Sequence, residues 1–205
     1  MAFLSDADKK RVTDAIAAAE RKTSGEFVAV VAERSDHYLF FPMLWTAIAS
    51  LIVPGAMLLA GADLSLLIIY AIQLAGFIVA AVVFFQPSIR PHLAPGAFRH
   101  DYGHRFAHEQ FYFQGVHRTR DHSGVLLFVS IAERYVEIVA DEGIHRNVGE
   151  AHWQQIVDNF VSEVKARRVA DGFVGAVTAI GDAMATHYPR QADDTNELSN
   201  RLIEV

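Results

Sequence analysis

Polar and apolar positions alternate in three distinct ways along this chain. The first is a run from Phe40 to Phe85 in which Asp63 is the only charged side chain. Asp63 divides it into Phe40–Ala62 and Leu64–Phe85. As helices these segments would be about 33–35 Å long, matched to a hydrocarbon core of roughly 30 Å. The pattern predicts two membrane spans, 40–62 and 64–85. Gly61, Ala62 and Asp63 leave so short a turn that the helices must be antiparallel neighbours.

The second pattern is helical. Val12 and Ile16 repeat on a segment of residues 5–24, with Ser5 and Asp8 placed as a capping box and Gly25 as the stop. Pro95 and Gly96 open a helix that runs to about Gln114, ended by Gly115. Trp153, Ile156, Val157, Phe160 and Val164 line one face of a helix capped by Asn147 and Glu150. Phe173, Val174, Val177, Ile180 and Met184 line another, capped by Asp171.

The third pattern is extended. Glu26–Glu33 and Gly124–Ala132 are short valine-rich or continuously apolar runs, the second suited to a central strand covered on both faces. Glu133 and Arg134 turn the chain into Tyr135–Ala140, an antiparallel partner. Residues 188–205 are polar and are expected to lie over the surface or extend freely. The element order predicts a small α/β layer fold with a mixed sheet, interrupted after its first strand.

The composition narrows what such a protein can do. Of 205 residues, 18 are basic and 24 acidic, giving a net charge of -6. Basic residues gather between Arg90 and His122, and acidic ones after Ala140, so no basic stripe suits nucleic acid. Without cysteine there is no disulfide, thiolate chemistry or Cys-based metal site. The first 22 residues lack the apolar centre of a secretory signal, so the first span is expected to be an uncleaved anchor. Arg34 precedes the spans and Arg90, Arg99 and Arg105 follow them, which places both soluble flanks and both termini in the cytoplasm. Within the hairpin, Pro54 frees the Ser50 carbonyl, and Gln73 is expected to face it as a polar pair.

Two groups of side chains have the composition of a site. His100, His104 and His108 follow at i, i+4 and i+8 on the post-membrane helix, a spacing suited to zinc or nickel. The opposite stripe, Phe98, Tyr102 and Phe106, is aromatic, so a solvated or headgroup-facing histidine face is the competing reading. Asp141 and Glu142 close the return strand before Gly143, with His145 nearby. Glu133, Glu137 and Asp141 can also approach one another around the strand pair. No Gly-x-Ser-x-Gly elbow or glycine-rich phosphate loop is present, so no residue is assigned as catalytic.

SGEFVAVVAE (Ser24–Glu33), TRDHSGVLLFVSIAERYVEIVADEGI (Thr119–Ile144) and WQQIVDNFVSEVKARRVADGFVGAVTAIGDAM (Trp153–Met184) resemble the TPM domain in sequence and order. The chain is most similar to the bacterial integral-membrane branch, in which two spans interrupt the domain. Its ending, Asn196–Val205, resembles the tail of that branch. The resemblance implies a three-layer α/β TPM-type domain: residues 1–37 carry its first helix and strand, 38–89 the hairpin, 90–190 the remainder and 191–205 the tail. Asp141 falls on the acidic position of the family's strand-end motif, where metal or substrate would sit. The doubly acidic, glycine-rich segment that follows in secreted members is replaced here by Ile144–Trp153. The expected function is therefore a binding or accessory module at the cytoplasmic face of a bacterial inner membrane. Its expected partners are lipids together with a membrane protein or a second copy. The alternative is a metal-assisted phosphatase using Asp141, Glu142 and His145, with a divalent ion as cofactor.

Overall fold

The structure, a computed structural model, describes residues 3–61, 64–119, 122–191, 197–198 and 201–205. The expected hairpin tip at Ala62 and Asp63 lies outside the described residues, as does Asn196 of the tail motif. The chain divides into two compact units, one of residues 1–35 and 103–205, the other of residues 36–102.

The larger unit is built on four strands, β1 (Phe27–Ala32), β2 (Val125–Ser130), β3 (Tyr135–Ala140) and β4 (Leu202–Glu204), in the order β3-β2-β1-β4. β1 pairs in parallel with β2 and with β4, while β3 returns antiparallel to β2. Every residue of β1 and β2 is buried, as continuous apolar runs require when both faces are covered. Strand alternation then sorts them. Phe27, Ala29, Val31, Val125, Leu127 and Val129 join one core, and Val28, Val30, Leu126 and Phe128 join another.

The first core is filled by α1 (Asp6–Glu20), α6 (Glu142–Val148), α7 (Glu150–Lys165) and α8 (Val169–His187). Ser5 caps α1 through the expected box with Asp8. Phe160 and Phe173 meet edge-on with centroids 4.9 Å apart. The second core is covered from Ala107 and Phe111 of α5 (Gly96–Phe113), with Val116 from the short 3-10 turn after Gly115, which has φ +76°. Helix–sheet–helix layering results.

Three terminal features depart from expectation. The N-cap of α7 is Gly149, while Asn147 lies inside α6 and donates its amide to the Gly143 carbonyl. Asp171 sits in the first turn of α8 rather than at its cap, where it pairs with Arg11 at 2.7 Å. The tail is not a free surface segment throughout. Residues 202–204 add a parallel edge strand, and Glu26 accepts from the amides of Glu197 and Leu198 at 2.8 and 3.2 Å.

The smaller unit contains α2 (Phe40–Leu59) and α3 (Leu66–Phe84), packed against each other, and the single turn α4 (Arg90–Leu93). Both long helices are apolar and long enough to cross a membrane. α3 has no buried residue. Pro54 lies inside α2, and Ser65 caps α3 by accepting from Ile68. Tyr38, Phe41 and Ala94 form a small buried cluster with Leu93 and Tyr102 beside it, and the Trp45 indole donates to the Leu93 carbonyl at 3.1 Å.

Candidate functional site

The buried stripe of α5 is Gly103, Ala107, Gln110 and Phe111; of the aromatic positions Phe98, Tyr102 and Phe106, the first is exposed and the other two half-buried. Small residues at 103 and 107 let the helix close on the sheet. A Cβ on Gly103 would come within 2.6 Å of the Tyr135 ring, so only glycine allows this approach. Phe106 flanks the stripe and packs on Phe128, while Tyr102 meets Tyr38 edge-on.

One residue further round the helix stand His104 and His108. They reach Glu137, which faces α5 because β3 alternates: Tyr135 and Val139 belong to the second core, Val136 and Ile138 to the first. Glu137 lies opposite Phe128 in the strand register. His104 Nδ1 is 3.0 Å from Glu137 Oε1 and 3.2 Å from Oε2, and His108 Nε2 is 3.5 Å from Oε1. The imidazole centroids are 4.4 Å apart. Tyr135 donates its hydroxyl to Glu137 Oε2 at 2.8 Å. Burial, and then that bond to a carboxylate, push the Tyr135 phenol well above its ordinary range.

His104, His108 and Glu137 each offer a ligand atom within 4.8 Å of the others, which makes the three candidate ligands for one metal ion. His100 is not in this group; it lies one turn earlier, on the portion of α5 assigned to the smaller unit. Histidine spacing alone does not mark Glu137 as a ligand, although strand alternation on Tyr135, Glu137 and Val139 carries the signal that finds it.

The Asp141 corner is arranged differently. Asp141 is the N-cap of α6, accepting from the Glu142 amide at 2.7 Å, and His122 Nδ1 lies 3.2 Å from its other oxygen. Glu142 is engaged by Arg146, and His145 lies 3.7 Å from Glu150. These three candidates therefore point to three separate partners. Glu133, Glu137 and Asp141 do not converge either, since Glu133 is buried and accepts from the Ser35 amide at 3.1 Å and from the Ser130 hydroxyl. An apolar cavity of about 460 Å³ opens at the opposite end of β3 from Asp141, with Val129, Arg134, Val136, Phe160, Val164 and Lys165 in its lining. In the smaller unit, Ser50 is buried on α2 and Gln73 half-buried on α3, and among the described residues no hydrogen bond joins them.

Residues 82–183 match the TPM domain family. The match takes in α5, β2, β3, α6, α7 and most of α8, and so includes both candidate regions. The fold is similar to the NMR structure of BA42 protein from the psychrophilic bacterium Bizionia argentinensis, with a TM-score of 0.62 and 18% identity over 100% of this chain and 97% of that one. No curated protein matches the chain.

Proposed function

Because this chain carries a TPM domain over residues 82–183, we propose that it acts as a membrane-anchored binding or accessory module at the cytoplasmic face of a bacterial membrane. The observation that carries this reading is α3. It is a 19-residue helix without a charge or a buried residue, and Leu66, Leu67, Tyr70, Ile78 and Val79 are more than half exposed. Such a surface is stable against lipid and unfavourable against water.

Sheet topology supports placing both flanks on one side. β1 precedes the two apolar helices and β2 follows them, yet the two strands pair along their full length. An even number of crossings is then required. Arg34 and Arg90 lie close to the outer ends of the helices, and the positive-inside bias makes that side cytoplasmic. The partitioned contacts of Asp141, Glu142 and His145 favour binding over turnover, since catalysis needs acid, base and charge stabilisation to converge. The partners are lipid and a membrane protein or second copy of the chain.

Membrane fractionation and a reporter fused after Val205 test this reading. The expected outcome is a carbonate-resistant membrane protein whose fusion is active only as a cytoplasmic reporter. A protein released by carbonate, or a fusion with periplasmic alkaline-phosphatase activity, overturns it. Phosphatase turnover lost in Asp141→Asn would replace the accessory role with the hydrolase.

A further inference from the structure

We propose that His104, His108 and Glu137 form a binding site for a borderline divalent transition ion, zinc above all, with its fourth coordination position open to solvent. This does not rest on the membrane-anchored reading, because every ligand belongs to the sheet-containing unit.

The donor set selects the ion class. Two imidazoles and one carboxylate suit zinc and its neighbours, whereas calcium and magnesium take six or more ligands, nearly all oxygen. Distances agree with a shared centre. Two atoms bound to one tetrahedral zinc at about 2.0–2.1 Å lie about 3.3–3.4 Å apart. The nitrogen–oxygen separations of 3.0 and 3.5 Å bracket that edge. All three ligand atoms lie within 4.8 Å of one another, so side-chain rotation is the adjustment that would bring them onto one ion.

The surroundings supply the orientation that metal ligands need. Tyr135 donates to Glu137 Oε2, while Oε1 is the oxygen nearest both imidazoles. Gly103 and Ala107 let the helix lie close against the strand, which brings the two histidines within reach of the carboxylate. Both imidazoles are about half exposed, leaving room for water or an oxygen-bearing ligand at the fourth position.

Zinc titration of the full chain in mild detergent, after chelator treatment and against a chromophoric competitor, tests the site. One zinc per chain is expected, with magnesium and calcium in excess failing to displace it. His104→Ala, His108→Ala and Glu137→Gln should each weaken binding by about 100-fold or more, and Tyr135→Phe by about 10-fold. His100→Ala and Asp141→Asn should leave it unchanged. Binding that survives the His104→Ala/His108→Ala pair, or that is lost in His100→Ala or Asp141→Asn, overturns the proposal. The unmodified chain gives an independent reading through cobalt(II): visible bands of a four-coordinate ion support the site, and the weak spectrum of a six-coordinate ion refutes it.

Discussion

The two faces of the sheet are covered by different means. On one, four helices bring Ile16 of α1, Ile144 of α6, Trp153 and Phe160 of α7, and Phe173 and Ile180 of α8 against alternate residues of β1 and β2. On the other, a single helix contributes Ala107 and Phe111, and small residues replace large ones at the point of closest approach. The first face is thick and filled by bulk. The second is thin, and its helix rides close enough that polar groups on β3 and α5 meet at the margin of the core. A sheet can thus assign stability to one face and leave the other with the polar geometry that a binding site needs.

The sharpest way to break this contrast is to hollow the thick face. Phe173 is fully buried and stacked edge-on against Phe160. Phe173→Ala should cost about 3–5 kcal/mol through lost transfer energy and a residual cavity. Chemical denaturation should show a lowered midpoint with zinc affinity, measured on the remaining folded protein, unchanged.

Overpacking the thin face reverses the pattern. Gly103→Ala would drive a methyl into the Tyr135 ring, which has its own Cβ only 3.1 Å from the added atom and little room to yield. A cost of about 1–3 kcal/mol is expected. Here the zinc affinity should fall together with stability, because α5 and β3 must separate. Equal stability of this variant and the unmodified chain would show that the close approach is not what holds the face.

Removing one polar contact is milder. Tyr135→Phe deletes the hydroxyl that donates to Glu137. The net loss should be about 0.5–1.5 kcal/mol. Thermal unfolding checks the stability change, and comparison with Phe173→Ala separates a contact at the margin of a core from one at its centre.

Much of this arrangement is legible in the sequence, and what escapes it depends on three-dimensional neighbours. β1, β2 and β3 follow from apolar runs and alternation, and α3 from its lack of charge. α6 has only seven residues, too few for a helical period to show in the sequence. β4 is three residues long and gains its order from pairing with β1, which no local pattern announces. The caps expected at Asn147 and Asp171 fail because polar residues near a helix start have other partners, Gly143 and Arg11 in these cases. At the candidate site, His104 and His108 are visible as a helical pair, but Glu137 joins them only once the register of β3 and the depth of α5 are fixed. The closest approach of α5 to the sheet is hidden for the same reason: it falls at Gly103 and Ala107, which no apolar period marks, and only Phe111 of the buried stripe is large and apolar.

The smallest expected effect lies at the exposed start of α1, a helix of the thick face. Asp8 accepts from the Ser5 amide at 3.3 Å and from the Ser5 hydroxyl at 2.6 Å, closing the capping box. The Ser5 hydroxyl bond, only partly opposed by desolvation and assisted by the Ser5 amide and Arg11, holds the Asp8 carboxyl below its ordinary value. A carboxyl depressed in the folded state stabilises above its unfolded pKa, and that contribution disappears as pH falls through the folded one. Asp8→Asn should therefore flatten the acid limb of the stability curve below about pH 4. The neutral side of the curve should shift little, since the Ser5 oxygen still accepts from the backbone amide of the substituted residue. Urea midpoints taken from pH 7 downward, in both proteins, make the comparison. Parallel curves through the acid range would show that the capping carboxylate does not couple to folding.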